Sequence, residues 1–228
     1  MIRPLLILRP LDGALQTQLR AQERGLQTVV DPLFSVDSVA WSGPAAQDFD
    51  ALLLTSANAV ARGGGRLDVY KSLPVLAVGE ATARAAEKAG FSIEKIGASS
   101  GQALLDSLAE DRYRKILWLA GEQHSRLDAG QRVLHIIPVY RSRAVPLGEK
   151  AAACLQGEAV ILLHSARAAK HLVEELDRLG IKRGGHHVVA FSAKVAEAAG
   201  PGWRGIHVAA HPDDDTLLSL ASGLCRDE

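Results

Sequence analysis

The sequence predicts an α/β fold of parallel βα units, arranged as two related lobes, and three features carry that reading. Short apolar runs rich in Val, Ile and Leu recur along the 228 residues. Ala- and Leu-rich helical stretches separate them, and a three-element pattern occurs twice in the same order. Uninterrupted apolar runs suit parallel strands covered on both faces. Strands that alternate with helices define βα units.

Leu5 to Leu8 opens the chain as a buried strand, and a helix is expected from about Gly13 to Arg24, with Gly25 as a C-cap. Thr28 to Leu33 reads as the second strand. Further strands are expected at Ala51 to Thr55, Val75 to Val78, Ile116 to Ala120 and Ile136 to Tyr140. The last three are Val160 to His164, Val188 to Phe191 and Ile206 to Ala209.

The internal repeat is the most informative pattern. Leu52 to Ala59 (LLLTSANA) resembles Leu162 to Ala168 (LLHSARA): each is a strand, a Ser, then an Ala-rich helix. A second strand follows in each copy, VLAVGEATA from Val75 and VVAFSAKVA from Val188. A third unit follows, ASSGQALL from Ala98 and AHPDDDTLL from Ala210. Lobe boundaries are expected at Asp31 to Ser38 and Val139 to Pro146, where turn formers and extended residues gather. A discontinuous lobe of residues 1–34 and 144–228, with 35–143 inserted, is compatible with these boundaries.

Lys+Arg and Asp+Glu are both 26, so the net charge is zero. A general nucleic-acid binder needs a basic surplus to displace counterions, and 4% aromatic residues make a poor stacking platform. Cys154 and Cys225 form no CxxC pair, and no His/Cys cluster has zinc-like spacing. Two free thiols in a reducing cytoplasm are expected. The apolar run Leu5 to Leu8 is too short for a secretory core, and no stretch reaches the roughly 20 apolar residues of a membrane span.

Where Thr55-Ser56-Ala57-Asn58 passes from strand to helix, Ser is a favoured N-cap, and the free N–H groups beyond it form an anion site. A structural cap alone accounts for one such turn; Ser165 is the same case in the other copy. Val78-Gly79-Glu80-Ala81-Thr82 is a second turn, where Gly79 permits close approach and Thr82 can donate or cap. Ser99-Ser100-Gly101 is a third. Ligands of open parallel sheets bind beyond the carboxyl ends of strands, so several such turns together favour a site.

Other motifs read more plainly. Gly63-Gly64-Gly65 lacks the Gly-Lys-Ser/Thr ending of a phosphate loop and reads as a connection. Asp213-Asp214-Asp215 reads as an acidic helix start, and His186-His187 as a loop. His164 and His171 are poorly placed for a shared metal, and there is no GxSxG nucleophile elbow. Arg3, Arg9, Arg62, Arg126, Arg141, Arg143 and Arg167 are candidates for carboxylate contacts through the guanidinium fork, though most arginines are solvated surface.

LLLTSANAV, VLAVGEATARAAEKAGF, ILWLAGE and VYRS, in this order and spacing, resemble the uroporphyrinogen-III synthase family. The similarity runs from LLILRP at Leu5 to the last helix. The resemblance implies two flavodoxin-like or Rossmann-like parallel-sheet lobes joined by a two-stranded linker, with the active cleft between them. It implies a cytoplasmic lyase, monomeric and free of metal and cofactor, that cyclises hydroxymethylbilane, and a possible hand-over of that substrate from the preceding enzyme. By matching position, Thr55, Ser56, Gly79, Thr82, Gly121 and Ser165 inherit a cleft-lining role. Ala57 belongs to the first turn, and Arg9 is counted with the carboxylate contacts. Tyr140 matches the family's cleft Tyr, a candidate to assist departure of the hydroxyl; a packed linker Tyr is the plain alternative.

One departure stands out. The second copy reads Phe191-Ser192-Ala193-Lys194-Val195, with Ser192 and Val195 where Gly and Thr are expected. Ser192 or Lys194 can then contact a carboxylate instead. Two rivals to the enzyme remain: a non-catalytic two-lobed binding protein for an anionic small molecule, and a sugar-nucleotide transferase, for which the nucleotide-binding acid pair is missing.

Overall fold

The computed structural model describes residues 2–98, 100–109 and 111–226. Ser99, part of the third turn above, lies outside the described residues. In chain order the elements are β1 (Leu5–Ile7), α1 (Leu11–Glu23), β2 (Thr28–Val30), β3 (Phe34–Ser38), β4 (Ala51–Leu54) and α2 (Ala57–Gly63). Then come β5 (Val75–Val78), α3 (Glu80–Lys88), β6 (Ile93–Gly97), α4 (Gly101–Asp106), β7 (Lys115–Gly121) and β8 (Val133–Ala144). The chain finishes with α5 (Glu149–Cys154), β9 (Val160–Leu163), α6 (Ala166–Leu179), β10 (His187–Ala190), α7 (Ala193–Ala199), β11 (Gly205–Val208) and α8 (Asp214–Arg226).

These elements form two compact units. One comprises the residues up to Ser35 together with those from Arg143 onward, and the other Val36–Ser142. Both boundaries fall within strands, β3 and β8, which are neighbours in one sheet.

The first unit holds a five-stranded sheet in the order β11-β10-β9-β1-β2, all parallel. Counted by appearance within the unit this is 2-1-3-4-5, the flavodoxin order. The second unit holds β3-β8-β7-β4-β5-β6. Its strands β8-β7-β4-β5-β6 repeat the same spatial order, but the chain enters at the third position and supplies the first two last. The twofold pattern in the sequence is therefore two copies of one sheet with different entry points.

Burial explains why the central strands read so clearly. Leu5 to Leu8, Ala51 to Leu54, Ile116 to Leu119 and Val160 to Leu163 are all 2% exposed or less. Helices cover both faces, so each strand side chain loses its water whichever way it points; each buried Leu or Ile contributes roughly 1.5–3 kcal/mol. The weaker strands went unread for the same reason. In β6, Glu94 and Lys95 interrupt the apolar run, and β3 carries Ser35 and Asp37.

Several boundaries also move. The first helix begins at Leu11, directly after Pro10, and β2 is three residues long, ending at Val30; Asp31 N still donates to Ile7 O at 3.0 Å, while its carboxylate accepts from Gly148 N at 2.7 Å. The strand expected over Ile136 to Tyr140 runs 12 residues. His187, expected in a loop, opens β10, and His186 is buried.

Within the first unit Glu175 of α6 fastens the returning chain. Its carboxylate accepts from Leu147 N at 2.8 Å and from Arg178 at 3.0 and 2.7 Å. The Arg178 contacts, with the Leu147 amide, outweigh burial and hold its pKa down at about 2. Glu175→Ala is expected to cost about 2 kcal/mol, since the Leu147 amide loses its partner. Urea titration checks this, and an unchanged midpoint contradicts it.

Candidate functional site

Every turn singled out in the sequence lies at the carboxyl end of a strand. In the second unit Thr55 and Ser56 follow β4, Gly79 follows β5, Ser100 follows β6 and Gly121 ends β7. In the first unit Arg9 follows β1, His164 and Ser165 follow β9, and Ser192 follows β10. The strand order reverses between β4 and β7 in one sheet and between β9 and β1 in the other. Helices leave in opposite directions at such a point and open a crevice there.

The serines cap as their position dictates. Ser56 Oγ accepts from Asn58 N at 3.2 Å, Ser100 Oγ from Ala103 N at 3.1 Å, and Ser165 Oγ from Ala168 N at 3.1 Å. Each hydroxyl keeps its own proton to donate. Helix α2 spans only seven residues, so its dipole is short; α6, with 14, is the longer source of field.

On the second unit's edge the residues form a connected set. Trp118 Nε1 donates to Thr55 Oγ1 at 3.2 Å, bridging β7 and β4 across the reversal. Tyr140 pairs with Gly121 across a bulge in the β7–β8 ladder, and Glu122 N donates to Tyr140 O at 2.8 Å. A Cβ at Gly121 would come within 2.9 Å of two Tyr140 ring carbons, so the ring rests on bare backbone. His124 Nδ1 lies 2.9 Å from Gly121 O, and its ring meets Trp118 edge-on at 5.0 Å. Trp118 and His124 went unnoticed in the sequence because one reads as core and the other as loop.

Gly79 and Thr82 divide in role. Gly79 has φ +79° and ψ 150°, a region only glycine occupies without strain. Nothing crowds its missing Cβ, so the backbone angle, not a close approach, demands the glycine. Thr82, expected to cap or donate, provides no cap to α3 and is 5% exposed.

This resolves the departure in the other copy. Ser192 has φ −163° and ψ 166°, extended backbone that any residue adopts, so no glycine is required. Val195 is 5% exposed, like Thr82, and a valine suits that enclosed position. Ser192 makes no side-chain cap, and Lys194 is exposed.

On the first unit's edge the chemistry differs. Asp214, expected as part of an acidic helix start, turns inward. It accepts from Arg9 NH1 at 2.9 and 3.0 Å and from Thr17 Oγ1 at 2.8 Å, and lies 3.2 Å from His164 Nε2. Burial opposes its charge, but the His164 and Thr17 hydrogen bonds and the Arg9 charge prevail and hold its pKa below the usual carboxylate range. Burial pushes His164 down in turn, so the ring is neutral at pH 7. Asp213 does the capping, accepting from Thr216 N at 2.7 Å.

Arg9 therefore commits NH1 to Asp214, and the guanidinium lies over Gly13, where a Cβ would meet Nε at 2.6 Å. Arg3 is removed from the carboxylate candidates: it sits at the amino end of β1, 5% exposed, paired to Glu158 at 2.7 Å. Arg167 stacks over the Phe34 ring at 4.2 Å. Among the described residues no three His, Cys, Asp or Glu side chains group closely enough to hold a metal ion. No helix among them is long and apolar enough to cross a membrane.

Two doubly wound units, each with hydroxyl-capped turns at its carboxyl edge, define a two-unit α/β protein. Comparison narrows the class. The family model for uroporphyrinogen-III synthase HemD matches residues 14–219, and the chain belongs to that family. The family is one of cyclising lyases in tetrapyrrole biosynthesis, acting on a small-molecule substrate. A solved uroporphyrinogen-III synthetase from Helicobacter pylori aligns at 16% identity with a TM-score of 0.63, covering 98% of this chain and 100% of that one. A mutant uroporphyrinogen III synthase from Thermus thermophilus aligns at 18% identity and a TM-score of 0.57, covering 99% and 100%. These two share the fold. Comparison with curated proteins gave no significant match.

Proposed function

We propose that the chain closes hydroxymethylbilane into uroporphyrinogen III, inverting the last pyrrole ring, and that strand-end turns hold the substrate's carboxylates. The family match over residues 14–219 carries this reading. In the proposed route the hydroxyl of the hydroxymethyl group takes up a proton and leaves as water, and its methylene carbon remains on the pyrrole as an azafulvenium cation. The substituted end of the last pyrrole attacks it to give a spiro intermediate. That intermediate fragments and recloses at the neighbouring position, and loss of a proton restores the aromatic ring. The protein's task is to select this closure over the direct one, which positioning can do.

Ser56, with Ala57 behind it, Ser100 and Ser165 offer hydroxyl and amide donors to carboxylates. Thr55 sits between Trp118 and α4, where a Cβ at Gly101 would lie 3.3 Å from its Cγ2. Gly79 shapes its turn, and Thr82 supports that turn from within. Ser192 and the remaining edge of Arg9 serve in the first unit. Tyr140, seated on Gly121, hydrogen-bonds the leaving oxygen. We also propose a monomeric cytoplasmic enzyme that can receive its unstable substrate from the preceding one.

The test generates hydroxymethylbilane in the presence of the protein and resolves the I and III isomers after oxidation. An excess of isomer III over the spontaneous mixture is expected; its absence refutes the enzyme. Tyr140→Phe is expected to lower kcat on the order of tenfold to a hundredfold with an unchanged melting temperature. Unaltered kcat reduces Tyr140 to packing.

A further inference from the structure

We propose that the second unit carries a separate binding site for a planar aromatic carboxylate, at the amino-terminal end of its sheet. A cavity of about 640 Å³ opens there, beside the segments that lead into β4 and β5. Phe49 stands just before β4 and Leu73 just before β5, whereas Thr55, Ser56 and Gly79 follow those strands. Four residues of strand separate the two ends, roughly 13 Å at the usual rise. The volume falls in the range of small-molecule sites.

The walls are aromatic and already fixed. Trp41 and Tyr70 stack with centroids 6.1 Å apart and planes at 25°. Trp41 Nε1 donates to Gly63 O at 2.9 Å, and Tyr70 Oη donates to Pro44 O at 2.8 Å. Tyr70, 1% exposed, backs Trp41 from within, and the half-buried Trp41 indole, its N–H spent on backbone, offers an apolar body that a ligand need not order. Phe49 and Val69 extend the apolar lining, and Val69 is 63% exposed.

Charge selects the ligand. Arg66 lines the cavity and is exposed, and among the described residues no carboxylate pairs with it. Neighbouring Asp68 is bound to Lys71 at 2.7 Å and leaves the Arg66 fork available. Flat aromatic walls with one unspent guanidinium at the rim match a flat ring bearing a carboxylate, which stacks while the fork takes both oxygens.

Calorimetric titration with 2-naphthoate, and with neutral 2-naphthol as comparator, tests this on the intact protein. One naphthoate per chain is expected, bound more tightly than naphthol. Arg66→Gln, an exposed substitution, is expected to weaken naphthoate about tenfold and leave naphthol unchanged. Ser72→Trp, which crowds the cavity, is expected to weaken both. Equal affinity for acid and alcohol, an Arg66→Gln protein that binds naphthoate like wild type, or no binding at all overturns the site. Displacement of naphthoate by hydroxymethylbilane also overturns it, by moving the ligand to the substrate's turns. Binding is read without turnover, so the outcome is independent of the synthase reading.

Discussion

Asp214→Ala is expected to cost about 3 kcal/mol or more of folding stability. The carboxylate sits with its side chain 12% exposed and joins α8 to α1, β9 and the turn after β1. Its removal leaves the Arg9 charge, the Thr17 hydroxyl and the His164 ring facing a hole. Breaking such a partly buried pair by deleting one partner typically costs 3–5 kcal/mol. Asp214→Asn, which keeps the shape, separates the loss of charge from the loss of packing. The pH dependence follows from the lowered pKa. A carboxyl held below its unfolded value of about 3.9 contributes stability fully above that value and loses it as pH falls through the folded pKa. The gap between wild type and Asp214→Asn should therefore be constant from about pH 7 to 8, where His164 at 3.2 Å is not protonated in either state, and close in strong acid. A variant that melts with wild type at pH 7 contradicts the reading.

Gly121→Val is expected to lower turnover about a hundredfold, since a shift of about 1 Å at a reacting group has that effect. The incoming Cβ collides with the Tyr140 ring, which must leave its seat or drag the β7–β8 bulge with it. Overpacking of this kind also costs about 1–3 kcal/mol. A double-mutant cycle with Tyr140→Ala identifies the clash: the stability cost of Gly121→Val should shrink once the ring is gone. Wild-type turnover in Gly121→Val would detach this pair from the site.

The legible part of the molecule is the part buried on both sides. Leu52-Leu53-Leu54 and Ile161-Leu162-Leu163 announce strands because both faces of each are covered. The edge strand β6 does not, because Glu94, exposed, and Lys95, half-buried, stand on opposite faces and interrupt its apolar run. Ser56 and Ser165 were legible as caps because capping is local, satisfied within three residues. The Gly79–Ser192 difference reads in the sequence as a turn that binds differently in one copy. It reflects two backbone conformations, which residue identity alone does not report.

The sequence by itself determined the α/β class, the repeated strand–turn–helix units and the edge on which the turns gather, because these rest on periodicity and on capping within a few residues. Tertiary structure alone decided that β7 and β8 close the second sheet after β4 to β6, that Tyr140 rests on Gly121, and that Asp214 takes Arg9. The Arg9–Asp214 bond joins residues 205 apart in the chain. A contact of that span leaves no mark in local pattern. It exists only because two strands and two helices converge at one edge of a sheet, where burial makes an unpaired charge too costly to leave.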